Sequence, residues 1–119
     1  MSKKILVVDD DQNIVDYLTE LFTANGFETI TAKDGTQAMA LAKQGKPDLI
    51  TLDLEMPERW GTVFYRRLAD DGELSSIPVI VISGLEHHPK DRVLQKAAAY
   101  IEKPFEPEKL MAIVNSVLQ

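Results

Sequence analysis

Three short apolar runs, Ile5-Leu6-Val7-Val8, Leu49-Ile50-Thr51-Leu52 and Val79-Ile80-Val81-Ile82, stand out against an otherwise mixed hydrophobic and polar pattern. Each is continuous rather than alternating, carries β-branched side chains and stops at turn-forming or acidic residues, which predicts strands buried on both faces, as in a parallel sheet. Phe27 to Ala32 and Ala98-Ala99-Tyr100-Ile101 predict two more strands. Between the strands the apolar period becomes helical. Ile14, Leu18, Leu21 and Phe22 predict a helix from about Gln12 to Asn25, with Asp11 as N-cap and Gly26 as terminator. An Asp34-Gly35 turn leads into a helix carrying Ala38, Leu41 and Ala42, closed by Gly45. Gly61 is expected to break the loop after Asp53, and Val63, Phe64 and Leu68 mark a third helix running to about Asp71, before Gly72. Asp91 to Lys96 supports only a short fourth helix. The last opens at Pro107, suited to a first helical position, and shows Leu110, Ile113, Val114 and Val117 on one face.

Strand and helix alternate five times, and right-handed crossovers with helices on both faces then give a (βα)5 doubly wound, flavodoxin-like α/β sheet. The usual order for five parallel strands of this kind is 2-1-3-4-5, which makes strands one and three neighbours at the switch point. At 119 residues the chain reads as one domain, 1–119, with no output domain.

That topology turns scattered residues into one site. Asp9 and Asp10 end strand one and Asp53 ends strand three, so three carboxylates converge where open α/β sheets form their sites. Like charges so placed raise one another's pKa and destabilise the fold unless a cation neutralises them. Oxygen ligands with neither histidine nor cysteine suit a hard ion such as Mg²⁺, which keeps several waters and commonly accepts a phosphate oxygen. Ser83 ends strand four, where a hydroxyl can hydrogen-bond a phosphoryl oxygen, and Lys103 follows strand five, where an ammonium can neutralise another. Each has an ordinary reading: aspartate and serine are common turn residues, and a lysine before proline is usually a solvated charge. Their joint placement at successive strand ends favours a site.

Composition removes several alternatives. Nineteen acidic against 13 basic side chains leave a net charge of −6, which argues against direct binding of nucleic acid or an anionic membrane. No cysteine is present, so thiol catalysis, thiolate metal sites and disulfides are excluded. Met1-Ser2-Lys3-Lys4 precedes only four apolar residues before three aspartates, unlike a signal peptide, and a cytoplasmic location is expected.

Val7-Val8-Asp9-Asp10-Asp11, Leu52-Asp53-Leu54-Glu55-Met56-Pro57 with Gly61 after it, Val81-Ile82-Ser83-Gly84 and Glu102-Lys103-Pro104-Phe105 together resemble the receiver domain of two-component response regulators, of the chemotaxis-regulator kind. The resemblance covers essentially the whole chain, in the right order. It implies that Asp53 accepts a phosphoryl group from a phosphohistidine on a sensor histidine kinase or histidine phosphotransfer protein. It implies Mg²⁺ held by Asp9, Asp10, Asp53 and the Glu55 backbone carbonyl, with Lys103 beside the transferring oxygens. Ser83 would be the switch hydroxyl, and Tyr100 the aromatic whose rotamer reports phosphorylation on the face of the fourth helix, fifth strand and last helix. A Lys103-Pro104 cis bond, a downstream protein target or output domain, and a phosphorylation-linked homodimer also belong to the implied picture. The protein would be no enzyme beyond its own aspartyl phosphorylation and dephosphorylation. Exposed residues of the first helix near Ile14 and Val15 would dock the phosphodonor.

Departures mark where that picture is specific to this chain. The stretch from Ser83 to Lys103 is a couple of residues short, and Lys96-Ala97-Ala98 replaces the usual Gly-Ala. Glu55 and Leu85, two places after Asp53 and Ser83, fall at positions that the resemblance implies tune dephosphorylation. The adjacent His87 and His88 read either as a metal or pH-sensitive pair or, without a third ligand in view, as a solvated loop. Trp60 reads equally as an exposed partner anchor or as packing over its loop. Asp70, Asp71 and Glu73 read as a solvated helix end, and Arg66 and Arg67 as solvated or paired with nearby carboxylates. Two other functions remain: a degenerate receiver acting only as an interaction module, and a haloacid-dehalogenase-like phosphatase reading Asp9-Asp10-Asp11 as Asp-x-Asp.

Overall fold

Strand β1 (Lys4–Val8) pairs in parallel with β2 (Glu28–Ala32) on one side and β3 (Leu49–Asp53) on the other, and β3 continues through β4 (Val79–Gly84) to β5 (Ala99–Lys103). The order is therefore β2-β1-β3-β4-β5, all parallel, as the alternating pattern predicts. These coordinates come from a computed structural model, which describes residues 2–54, 60–84 and 97–119. Glu55, Leu85, the His87-His88 pair and the short helix expected over 91–96 lie outside the described residues.

Four helices are described: α1 (Gln12–Ala24), α2 (Gly35–Gly45), α3 (Trp60–Asp70) and α4 (Pro107–Leu118). Local chemistry sets where they begin. Asp11 leaves β1 in an extended conformation and its carboxylate accepts the Asn13 N–H at 2.9 Å, satisfying one of the orphan donors of α1. Asp34 does the same for α2 through the Gln37 N–H at 2.8 Å, while the Gln37 side chain reaches back to the Lys33 N–H at 2.9 Å. Pro107 occupies the first turn of α4.

Successive strand residues point to opposite faces, so each buried strand feeds two cores. Leu6, Val8, Ile50, Leu52, Val79 and Val81 pack with Ala38 and Ala42 of α2 and with Phe64 and Leu68 of α3. Ile5, Val7, Leu49, Ile80, Ile82 and Ile101 pack with Val15, Leu18 and Phe22 of α1 and with Leu110 and Val114 of α4. Full burial of a side chain such as Phe22 or Phe64 contributes about 1.5–3 kcal/mol, so both layers are needed to hold the strand ends in register.

Several boundaries differ from expectation, for tertiary reasons. Gly61 does not break a loop; it lies in the first turn of α3, where a Cβ would come within 2.5 Å of the Asp53 carbonyl oxygen and 2.9 Å of Leu54 Cα. Gly45 is the last residue of α2, and the left-handed residue that follows it is Lys46, with φ 48°. β5 begins one residue later than expected and extends to Lys103. Val15, expected on the exposed docking face of α1, is buried, whereas Ile14 is half-buried and Tyr17 exposed.

Candidate functional site

The crevice is built from the carboxyl ends of three strands. Asp9 follows β1, its backbone N–H bonded to the Ala32 carbonyl at 3.1 Å, so the chain is still tied to β2 as it turns away. Its Oδ1 accepts the Asp11 N–H at 2.9 Å, and its Oδ2 accepts from Lys103 Nζ at 3.3 Å. Lys103 ends β5, 94 residues away in sequence, and its ammonium also lies 3.4 Å from Asp53 Oδ1. The Lys103-Pro104 bond is cis. Asp9 and Asp53 are buried and Asp10 is exposed, and one carboxylate oxygen from each of the three lies within 4.8 Å of the others.

Burial pushes the Asp9 carboxyl up to about 6; Asp53 adds to the rise, while the Asp11 N–H and Lys103 work against it. Burial opposes the charge of Lys103 too, but Asp53 and then Asp9 outweigh it and hold the ammonium above the ordinary lysine value. A single amine thus holds two carboxylates, while a third faces solvent beside them.

Ser83 falls on the same rim. It is 8% exposed, and its Oγ has no hydrogen-bond partner among the described residues. A buried hydroxyl of this kind is costly unless something arrives to use it, and at the mouth of the sheet a phosphoryl oxygen is such a group. Ser83 pairs with Glu102 in the register, and Tyr100, two residues earlier on the same face of β5, pairs with Val81. Tyr100 is 41% exposed, at the outer edge of the sheet. Despite the short stretch between Ser83 and Lys103, β5 keeps full pairing with β4.

The donor set fits a hard divalent cation: oxygen only, three carboxylates, and one ammonium against them, which leaves two negative charges. Asp11 is not part of it. One oxygen of its carboxylate caps α1. Asp71 is more than a solvated helix end, because its carboxylate accepts the Glu73 N–H at 2.9 Å and the Leu74 N–H at 3.1 Å and sits 3.7 Å from Lys43.

Comparison with known proteins decides the family. The response regulator receiver domain profile matches residues 5–115. The chain belongs to that family. Protein Rrf1 of Nitratidesulfovibrio vulgaris is 33% identical over 121 residues, covering 99% of this chain and 84% of its own. The polar-differentiation response regulator DivK of Brucella anthropi is 33% identical over 120 residues, with 99% and 98% covered. Among solved structures, the chemotaxis response regulator CheY4 of Vibrio cholerae superposes with a TM-score of 0.87 at 28% identity, over 99% of this chain and all of that one. Receiver domains are phosphoacceptor signalling domains of two-component systems and generally not catalytic enzymes. They bind Mg²⁺ at an acidic cluster and interact with histidine kinases or phosphotransfer proteins and with output targets. In this receiver no helix among the described residues is long and apolar enough to cross a membrane.

The strand ends identified the acidic cluster, Ser83 and Lys103. What strand-end reasoning missed is the seat of Trp60. Its ring packs against α2, with Cε3 2.7 Å from where a Gly35 Cβ would lie, so it is a packing residue rather than an exposed anchor.

Proposed function

We propose that this receiver is a cytoplasmic signalling switch in which Asp53 accepts a phosphoryl group from the phosphohistidine of a sensor kinase or phosphotransfer protein. The observation that supports it most is the placement of Lys103 Nζ 3.4 Å from Asp53 Oδ1 and 3.3 Å from Asp9 Oδ2, from three separate strands. Residues 1–119 act as one unit. Asp9, Asp10 and Asp53 hold Mg²⁺, with the Glu55 carbonyl completing the protein ligands; once bound, the ion offsets charge on the transferring phosphoryl oxygens.

Every other part of the reaction falls to side chains of the chain. An Asp53 carboxylate oxygen attacks phosphorus in line, the P–O bond forms as the P–N bond of the donor breaks, and the electron pair leaves with the imidazole, which takes up a proton. Lys103 is released from full engagement with Asp9 and Asp53 to meet a phosphoryl oxygen, and Ser83 donates to another. Catalysis is positioning and electrostatics, with no step beyond the chain's own phosphorylation and hydrolysis. Drawing Ser83 inward biases the face that Tyr100 shares with it, shifting the population between two arrangements that differ in affinity for a protein target, an output domain or a second copy. The exposed side of α1 around Ile14 and Tyr17 receives the phosphodonor.

Intact-mass measurement after incubation with phosphoramidate and Mg²⁺ tests this. One phosphoryl group is expected on the wild type and none on Asp53→Asn. Stable labelling of that variant at another residue overturns the assignment.

A further inference from the structure

Two adjacent residues at the start of α3 touch two different parts of the site's frame. Gly61 lies so close to the end of β3 that a Cβ would sit 2.5 Å from the Asp53 carbonyl oxygen and 2.9 Å from Leu54 Cα, both backbone atoms that cannot swing away. Trp60, one position earlier, points elsewhere, as neighbours on a helix do. Its indole lies over Gly35, the buried first residue of α2, so closely that a Gly35 Cβ would come 2.7 Å from Trp60 Cε3, 3.5 Å from Cζ3 and 3.4 Å from its carbonyl oxygen. The site of α2 that receives the ring is itself fixed, because Asp34 caps that turn. The first turn of α3 is therefore pressed on one side against the peptide that carries the nucleophile and braced on the other by an aromatic ring on α2.

We propose that Trp60 is a positioning residue for Asp53: seated on Gly35, its indole keeps the first turn of α3 against the Asp53–Leu54 backbone and so holds the carboxylate on its line of attack beside Lys103. This rests on the reading of Asp53 as phosphoacceptor. The indole acts on Asp53 through Gly61 and is not itself a ligand, so its loss alters the geometry of the nucleophile and not the number of ligands in the crevice. In-line displacement is sensitive to such changes, since misplacing a reacting group by about 1 Å costs on the order of 100-fold in rate. A bracing ring whose loss lets the turn shift by a fraction of that distance is expected to be worth about tenfold.

The test measures the rate constant for phosphorylation by phosphoramidate at saturating Mg²⁺, the Mg²⁺ dissociation constant and the urea midpoint, on the full chain. Trp60→Ala is expected to slow phosphorylation about tenfold with Mg²⁺ affinity nearly unchanged, and Trp60→Phe, which keeps a ring on Gly35, to recover most of the rate. Gly35→Ala, which lifts the ring while leaving it in the chain, is expected to slow the reaction similarly. The pair combined should then cost no more than either alone, since both remove one contact. If Trp60→Ala is unfolded in the urea titration, Trp60→Phe and Gly35→Ala carry the same comparison. A purely structural ring would lower the urea midpoint and leave the rate constant of the folded fraction unchanged, and that result overturns the proposal. Failure of the underlying reading is distinct: the wild type itself would then take up no phosphoryl group on Asp53.

Discussion

Thr51 lies in the middle of β3, between Val7 of β1 and Ile80 of β4 in the register, 1% exposed, and its Oγ1 has no hydrogen-bond partner among the described residues. Its neighbours on that face are the apolar side chains that pack against α1 and α4. Thr51→Val keeps the branched shape that suits a strand and replaces the hydroxyl with a methyl group. Burying a hydroxyl without compensation costs about 1–3 kcal/mol, so the substitution should stabilise the protein by about 2 kcal/mol. Over 119 residues the unfolding entropy is about 0.25 kcal/mol/K, and the gain corresponds to a rise in Tm of about 8 °C. Urea titration and a thermal scan without divalent ions measure it. An unchanged or lower midpoint at constant m-value would mean that the hydroxyl is satisfied by an internal partner, and the reasoning would be wrong.

Ser83 makes the comparison sharper. Its hydroxyl is buried and unpartnered as well, but at the rim where a phosphoryl group would arrive. Ser83→Ala should therefore also stabilise the unphosphorylated protein. It should at the same time lose the extra stability that phosphorylation brings, about 1.5–3 kcal/mol for a hydroxyl donating to a charged oxygen. Thr51→Val should keep that increment. Equal increments in both variants would remove Ser83 from the site.

Replacing Lys103 with methionine keeps the aliphatic stem and removes the amine that bridges Asp9 and Asp53; phosphorylation by phosphoramidate should slow by about 10²–10³-fold, as when one preorganised donor is lost, and a rate near the wild type would contradict its role. Asp71 is held below the ordinary aspartate value by the N–H of Leu74, then that of Glu73, with Lys43 adding less. A depressed folded-state pKa gives stability that is present above the unfolded value, near 4, and is lost as pH falls through the folded value. Asp71→Asn should thus lower the urea midpoint at neutral pH, and the gap from the wild type should close as pH falls below about 4. A gap independent of pH would mean that the ionised carboxylate contributes nothing.

Much of this molecule is legible from one dimension because a parallel sheet converts strand ends into neighbours. Once Leu49-Ile50-Thr51-Leu52 and Ile5-Leu6-Val7-Val8 are read as adjacent strands, Asp9, Asp10 and Asp53 can only meet at one end, and no contact need be known in advance. Glycine is where the reading fails. Gly61 looks the same in sequence whether it breaks a loop or admits a close backbone neighbour, and only the Asp53 carbonyl beside it decides. Val15 was expected near the docking face from the family resemblance alone; in this chain it is buried with Leu18 and Phe22 against the sheet. Trp60 needed a partner on another helix, Gly35, with no local signal linking the two.

The charges of the crevice suit the proposed switch better than a static salt-bridge cluster. Asp9, Asp10 and Asp53 oppose the amine of Lys103, and burial, with Asp53 adding to it, raises the Asp9 carboxyl to about 6. Three ionised carboxylates against one ammonium leave two negative charges in a partly buried crevice, which one dication held there would offset. In the proposed reaction a phosphoryl group on Asp53 would restore negative charge at one defined point, and the groups placed to answer it are the amine already shared between two carboxylates and the hydroxyl of Ser83, unpartnered among the described residues. Both stand at the ends of β4 and β5, which form one side of the sheet, so under the proposed phosphorylation the groups that would answer the new charge lie on that side and not on the β2 side.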